Sequence, residues 1–341
     1  MSQRDEEAWV SRAPGKVILF GEYAVLRGGI ALVAAVERQA SCVRSCAAHC
    51  TIEGLGFGQC SWDGEAWIGA SLPFATAALD ALGKPAAHFQ INSEAFQLEL
   101  GGQRLKLGLG SSAAVTVALI DAATRGSRSP DALFTLAQAA HFRAQGRLGS
   151  GADIAASAWG GLSLYQPAMQ AGEAPRREGR PSLAPLLLVW MGQSADTRTL
   201  VSQVNAWAIN EPREAARRFA ALAEVAEEAS MLLQAGSLSE RDSPLAQGSE
   251  MLAATVDRGA QALRALGEAS GAPLWIKAHA RLSSLCARFG AAMKPTGAGG
   301  GDLAWVYPRD PASTDLLREA IEEEGFPAFT LSVAPARAEQ R

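Results

Sequence analysis

No run of apolar residues in the 341-residue chain approaches the roughly 20 that a membrane-crossing helix needs. The opening MSQRDEEAWV is acidic and polar, unlike a signal sequence, so a soluble cytoplasmic protein with no membrane partner is expected. Basic charge is short too: 31 Lys and Arg stand against 35 Asp and Glu, a net charge of −4. A general nucleic-acid binder carries the opposite balance, so no nucleic-acid partner is expected and any anion site must be local. The five cysteines are odd in number and scattered, which excludes a disulfide framework. Cys42, Cys46 and Cys50 recur every four positions beside His49, but this is not the spacing of a zinc knuckle. QASCVRSCAAHC reads instead as one strand face carrying small buried thiols.

Glycine, at 34 residues, is not short, and it clusters. The ten residues KLGLGSSAAV, 106–115, place Gly108 and Gly110 before Ser111, Ser112 and a run of small apolar residues. Glycine allows positive φ and close backbone approach. The run after it suits a helix, with Ser111 or Ser112 as N-cap. A loop feeding a helix N-terminus presents unpaired N–H groups to an anion; a plain strand-to-helix turn would use the same glycines. The P-loop ending Gly-Lys-Ser/Thr is missing. Gly108, Gly110 and Ala113 satisfy G-x-G-x-x-A, but the acidic residue a dinucleotide site needs about 20 positions on is lacking, because Asp131 opens a helical run.

Three further stretches carry chemistry. In APGKVILFGEYAVL, Lys16 opens an apolar strand after a Pro-Gly turn, where its ammonium either steadies phosphoryl oxygens or sits as a solvated strand-edge charge. In GRLGSGADIAASA, glycines place Asp153 at the mouth of a helix, as a cap or as a proton acceptor beside a pocket. In KPTGAGGGD, four glycines in five positions would let one backbone cross very close to another or to a ligand. Two anion loops, a sheltered lysine and a helix-mouth carboxylate together are the parts of phosphoryl transfer.

Strand-like and helical segments alternate through the first half, with a hairpin at FQLELGGQRLKL. The stretch 166–185 is dense in Pro, Gly and charge and reads as a boundary or exposed excursion, dividing the chain into 1–180 and 181–341. Beyond it come the strand LLLVWM, long amphipathic helices, a strand pair around 294–307, a helix and a closing strand, an α+β half.

PGKVILFGEYAVL, KLGLGSSAA and KPTGAGGGD resemble, in order and separation, the three motifs of the GHMP kinases, the family of galactokinase, homoserine, mevalonate and phosphomevalonate kinases. The resemblance implies an α+β, two-domain fold: an N-terminal domain like ribosomal protein S5 domain 2, a ferredoxin-like C-terminal domain, and ATP and acceptor in the cleft between. It implies that Lys106, Gly108, Leu109, Gly110, Ser111, Ser112 and Ala113 wrap the ATP phosphates, with Ser112 helping to hold Mg²⁺. Lys16 and Asp153 are the implied catalytic pair, Asp153 as base or electrostatic partner for an acceptor hydroxyl. Gly297, Ala298 and Gly299 would pack against that loop and the acceptor. Glu22-Tyr23, Gly149-Ser150-Gly151-Ala152-Asp153 and a third motif ending in Asp302 resemble the branch whose acceptor is 5-phosphomevalonate, giving 5-diphosphomevalonate. Where mevalonate kinases have a helical Glu on Mg²⁺, this chain has His141, which the resemblance places with Glu22 and Tyr23 on the substrate. An acceptor that is itself a phosphate ester calls for a basic wall, from Lys16, Lys106 and Arg147 with the Ser150 hydroxyl and Gly151 beside it. MGQSADTRTLV resembles an acceptor-side loop, adding Thr197 and Arg198. A monomer or homodimer is expected.

Overall fold

The computed structural model describes residues 8–146, 149–170, 173–235 and 245–337. The first half runs β1 (Trp9–Phe20), β2 (Ala31–Ser45), β3 (Thr51–Gly54), β4 (Gly58–Trp62), β5 (Trp67–Gly69), α1 (Pro73–Asp80), β6 (His88–Asn92), β7 (Gln97–Leu100), β8 (Gln103–Lys106), α2 (Ser111–Ala123), α3 (Pro130–Gln145), α4 (Ala152–Trp159), β9 (Leu162–Gln166) and β10 (Arg176–Arg180). The second runs β11 (Leu186–Trp190), α5 (Thr197–Asn210), α6 (Pro212–Ala235), α7 (Leu245–Ser270), α8 (Lys277–Arg288), β12 (Ala291–Pro295), β13 (Leu303–Pro308), α9 (Thr314–Glu323) and β14 (Ala328–Leu331).

An eight-stranded sheet is built on β2, whose apolar ALVAAV end is buried on both faces, as a strand covered by helices must be. β1 pairs antiparallel along β2, while β9 and β6 share the other side of β2 at its two ends. Among the described residues only β3 and β6 pair in parallel in this sheet. The hairpin β7–β8 turns at Gly101-Gly102, where the sequence placed it. RREGR, expected inside an excursion, forms β10 against β9.

The second sheet is antiparallel, in the order β12-β13-β11-β14. Strand period 2 sorts its residues cleanly. Leu187 and Val189 pack with Leu282 and Leu285 of α8 and Leu317 of α9, whereas Leu186, Leu188 and Trp190 join the core that holds Val225 of α6 and Val256 of α7. That core also contains Phe20 and the apolar run of β2, so α6 and α7 form a layer between the two sheets. Phe20 meets Trp305 of β13 edge-on at 5.8 Å between centroids.

Local signals explain several ends. Ser129 accepts from Ala132 N–H at 3.3 Å, Pro130 occupies the first turn of α3, and Gly146 closes it in the left-handed conformation. The cysteines depart from expectation: Cys42 and Cys50 are buried, but Cys46 is exposed just past the end of β2, and Cys50 lies in the turn before β3. The strand stops at Ser45, so the three never share one face. No group of three metal-binding side chains occurs among the described residues, and no helix there is long and apolar enough to cross a membrane.

Candidate active site

The site begins at an irregularity. The β1–β2 register shifts between Pro14 and Gly15, and at that point β1 receives the loop before α2: Lys16 N–H donates to Leu109 O at 2.8 Å. A Cβ on Gly15 would lie 2.6 Å from the Phe96 ring and 2.8 Å from Leu109 O, so the approach requires glycine. Lys16 Nζ donates to Gly108 O at 3.1 Å. Its lysine therefore lies along the loop instead of extending into solvent. Burial pulls the Lys16 pKa below the ordinary lysine value, Asp153 and Asp302 oppose that shift, and Lys106 adds to it.

The cap of α2 is Gly110, left-handed at φ 74°, and no side chain caps the helix. Neither Ser111 nor Ser112 is the N-cap that the sequence suggested. A capping serine needs extended backbone, and the left-handed turn at Gly110 brings both serines into the first helical turn. Their hydroxyls and the helix start line a cleft of about 510 Å³ together with Lys16, Lys106, Gly108 and Asp153. An α-helix that starts without a side-chain cap is suited to an anion.

α4 opens opposite. Gly151 is its cap at φ 84°, and a Cβ there would come 2.5 Å from Gln138 Nε2 and 2.9 Å from Tyr165 Oη. Tyr165, buried in β9, donates to Ser150 O at 2.7 Å and so fixes the turn. Asp153 Oδ1 accepts from Ile154 N–H at 2.9 Å, and Oδ2 lies 3.9 Å from His141 Nε2. The same His141 nitrogen is 3.2 Å from Ser112 Oγ, and its ring stacks on Phe74 at 4.9 Å. Burial lowers the His141 pKa, against the pull of Asp153, which favours the neutral ring near pH 7.

The third glycine-rich stretch joins from the second sheet. Lys294, in the middle of buried β12, pairs with Glu22 and donates to Pro295 O at 2.9 Å. Both side chains are at most 2% exposed. Beside Glu22, Tyr23 takes φ 61° and its hydroxyl donates to Ala298 O at 2.9 Å. Burial pushes the Glu22 carboxyl up from the usual range, with Lys294 pulling against it. Two contacts thus seat the turn 296–301 over the end of β1.

Residues 73–161 match the model of the GHMP kinases N terminal domain. Over 96% of this chain and 97% of the relative, the sequence is 28% identical to the phosphomevalonate kinase of Streptomyces sp. (strain CL190). Residues 73–161 thus form a GHMP kinase N-terminal domain. Over 46% of this chain and 52% of the relative, it is 33% identical to the mevalonate kinase of Archaeoglobus fulgidus. Among solved structures, Streptococcus pneumoniae phosphomevalonate kinase in complex with phosphomevalonate and AMPPNP superposes with a TM-score of 0.75, at 19% identity, covering 94% of this chain and 99% of that one. The fold is therefore the two-domain α+β GHMP kinase fold, and the family is one of phosphotransferases.

The cleft takes in Lys16, Lys106, Gly108, Gly110, Ser111, Ser112, Ser150 and Asp153 from the first half, with Thr197, Arg198, Gly297 and Ala298 from the second. Other expected residues stand elsewhere. His141, expected on the substrate, is 1% exposed and lies behind Ser112 and Asp153, because α3 packs behind α2 and α4. Leu109 and Ala113 are buried and support the loop from beneath. Gly151 faces Gln138 and Tyr165, and Gly299 is turned to Leu274 O, which an added Cβ would meet at 2.5 Å. Glu22 and Tyr23 border the cleft, but their polar ends are held by Lys294 and Ala298. Arg147 lies outside the described residues. Residues 194–196 form the loop that MGQSADTRTLV suggested, but Thr197 already begins α5, capped by Asp196 Oδ1 on Thr199 N–H at 3.2 Å.

Sequence reasoning gave no role to Lys294 and used Asp302 only as a mark of the branch. A lysine inside AAMKP is the signal it passed over: a cation in a strand buried on both faces demands a counter-charge.

Proposed function

We propose that this protein is a GHMP kinase that transfers the terminal phosphoryl group of ATP to 5-phosphomevalonate, giving 5-diphosphomevalonate and ADP. The observation that carries the reading is a single cleft joining the uncapped start of α2, Lys16, Asp153 and Lys106 to Thr197 and Arg198 at the start of α5. In this reading Lys106 and the first turn of α2 take the nucleotide phosphates. Lys16 steadies the group in transit, while Arg198, Thr197, Arg147 and Ser150 take the acceptor. The relative that aligns along nearly the whole chain, a phosphomevalonate kinase, supports this choice of acceptor.

Magnesium suits the donors present. Ser112 Oγ and the Asp153 carboxylate both approach His141 Nε2, and no third ligand joins them among the described residues. Mg²⁺ is usually held by one or two such oxygens plus phosphates and water. Bound with ATP, it would neutralise phosphate charge; the buried nitrogen of His141 takes no part.

The acceptor atom changes what Asp153 does. A phosphate monoester loses its second proton near pH 6, so at neutral pH the attacking oxygen is already ionised and no proton must be removed. Asp153 then acts by charge, holding Lys16 in place. A hydroxyl acceptor would instead need it as base. With 5-phosphomevalonate, Asp153→Asn is expected to lower kcat about 10- to 100-fold while affinity for a non-hydrolysable ATP analogue, read by calorimetry, stays within about threefold. Loss of analogue binding would place Asp153 at the nucleotide.

The direct test is ADP release with 5-phosphomevalonate and with mevalonate. The expected kcat/KM is at least about 100-fold higher for the phosphorylated acceptor, reflecting paired charge in a desolvated site. The reverse order would establish mevalonate as acceptor, the second reading, which the Archaeoglobus relative favours over about half the chain.

A further inference from the structure

Asp302 holds a backbone conformation that its neighbours leave to glycine. Its φ is 50°, and it ends a run in which Gly299, Gly300 and Gly301 also have positive φ. A non-glycine residue in the left-handed region is strained, and such strain persists where something else requires the side chain. Here the side chain bridges two loops. Oδ1 accepts from Ala195 N–H at 3.3 Å, in the loop that leads to Thr197 and Arg198. Oδ2 faces the phosphate loop so closely that a Cβ on Gly108 would lie 2.5 Å from it. The Asp302 backbone grips the same segment independently: Met191 N–H donates to Asp302 O, and Asp302 N–H donates to Gln193 O, both at 2.8 Å.

We propose that Asp302 is a positioning residue: its carboxylate ties the acceptor loop, residues 193–196, and with it the start of α5, to the phosphate loop, setting the acceptor in register with the nucleotide. This rests on the phosphoryl-transfer reading above. Two variants separate function from folding. Asp302→Gly relaxes the backbone strain and keeps both main-chain bonds, so a merely structural role predicts unchanged or raised stability and unchanged kinetics. Asp302→Asn tolerates the same φ and keeps an oxygen for Ala195 N–H.

Wild type is assayed first on both acceptors, and the variants are run on the better one; the wild-type arm alone judges the acceptor. Asp302→Gly is expected to raise the acceptor KM about 10- to 100-fold, with the ATP KM within about threefold, and Asp302→Asn to recover to within about fivefold of wild type. Hydrogen exchange over residues 191–199 needs no substrate: it should quicken in the glycine variant and return in the asparagine variant. An acceptor KM within about threefold of wild type in Asp302→Gly overturns the proposal, as do equal rises for both substrates, an asparagine variant as impaired as the glycine one, or unchanged exchange.

Discussion

Lys16→Met is expected to lower kcat about a thousandfold while the protein melts within a few degrees of wild type. Methionine keeps the reach and apolar stem of lysine but removes the charge. That charge lies against Gly108 O in a desolvated corner flanked by Asp153 and Asp302. A cation held where phosphoryl charge develops is worth about 10²- to 10³-fold or more, because it needs no reorganisation at the moment of transfer. Stability should survive, since Asp153 and Asp302 are not fully buried and keep backbone donors, Ile154 N–H and Ala195 N–H. The pH profile gives an independent reading. Burial lowers the Lys16 pKa, so its positive charge is lost at lower pH than a free lysine's. The rate should therefore fall, as pH rises, below the ordinary lysine range near 10.4. Lys16→Arg stays charged throughout, so whatever rate it retains should lack that alkaline limb. A Lys16→Met enzyme within tenfold of wild type would remove Lys16 from the chemistry.

The largest expected effect on stability is at the Lys294–Glu22 pair. Lys294→Met leaves the Glu22 carboxylate 2% exposed without its paired ammonium, and breaking a buried pair in this way costs about 3–5 kcal/mol. Against a typical total of about 5–15 kcal/mol, urea denaturation would detect this readily. The double variant Lys294→Met with Glu22→Gln should be less destabilised than Lys294→Met alone, since no buried charge remains. The pH dependence has a definite sign. The Glu22 pKa is raised in the folded protein, so its proton is held more tightly folded than unfolded. Its contribution favours folding at low pH and is lost as pH rises through the folded pKa. Removing Lys294 takes away the pull that opposed the rise. The stability gap between variant and wild type should consequently narrow as pH falls from 8 towards 5. A gap independent of pH, or a double variant worse than the single one, would show that packing around Lys294, and not charge, governs the site.

The pair also explains why so distant a segment belongs to the site. Glu22 and Lys294 are joined across the boundary between the sheets, and Tyr23 reaches Ala298 beside them. These bonds seat the glycine-rich turn over the strand that carries Lys16, so their loss should disturb activity as well as stability.

Much was readable in the chain itself. Residues 97–106 announced a hairpin through Gly-Gly, 129–146 a helix through its Ser-Pro start and glycine end, and Gly108, Gly110, Lys16 and Asp153, singled out by residue type and order, line one cleft. These are local signals, because caps, turns and glycine conformations depend on a few neighbouring residues. What the chain left undecided was partnership across distance. His141 sits on a helix that could have turned its ring to the substrate, and only packing behind α2 and α4 removed it from the cleft. Ser111 and Ser112 could both have capped, until the approach of β1 set the turn at Gly110. Asp302 and Lys294 acquired partners on Ala195 and Glu22, respectively 107 and 272 residues away. Residue type and spacing determine which groups a polypeptide offers; burial and long-range contact decide which of them face one another, because desolvation makes a charge's energy depend on neighbours that sequence order does not name.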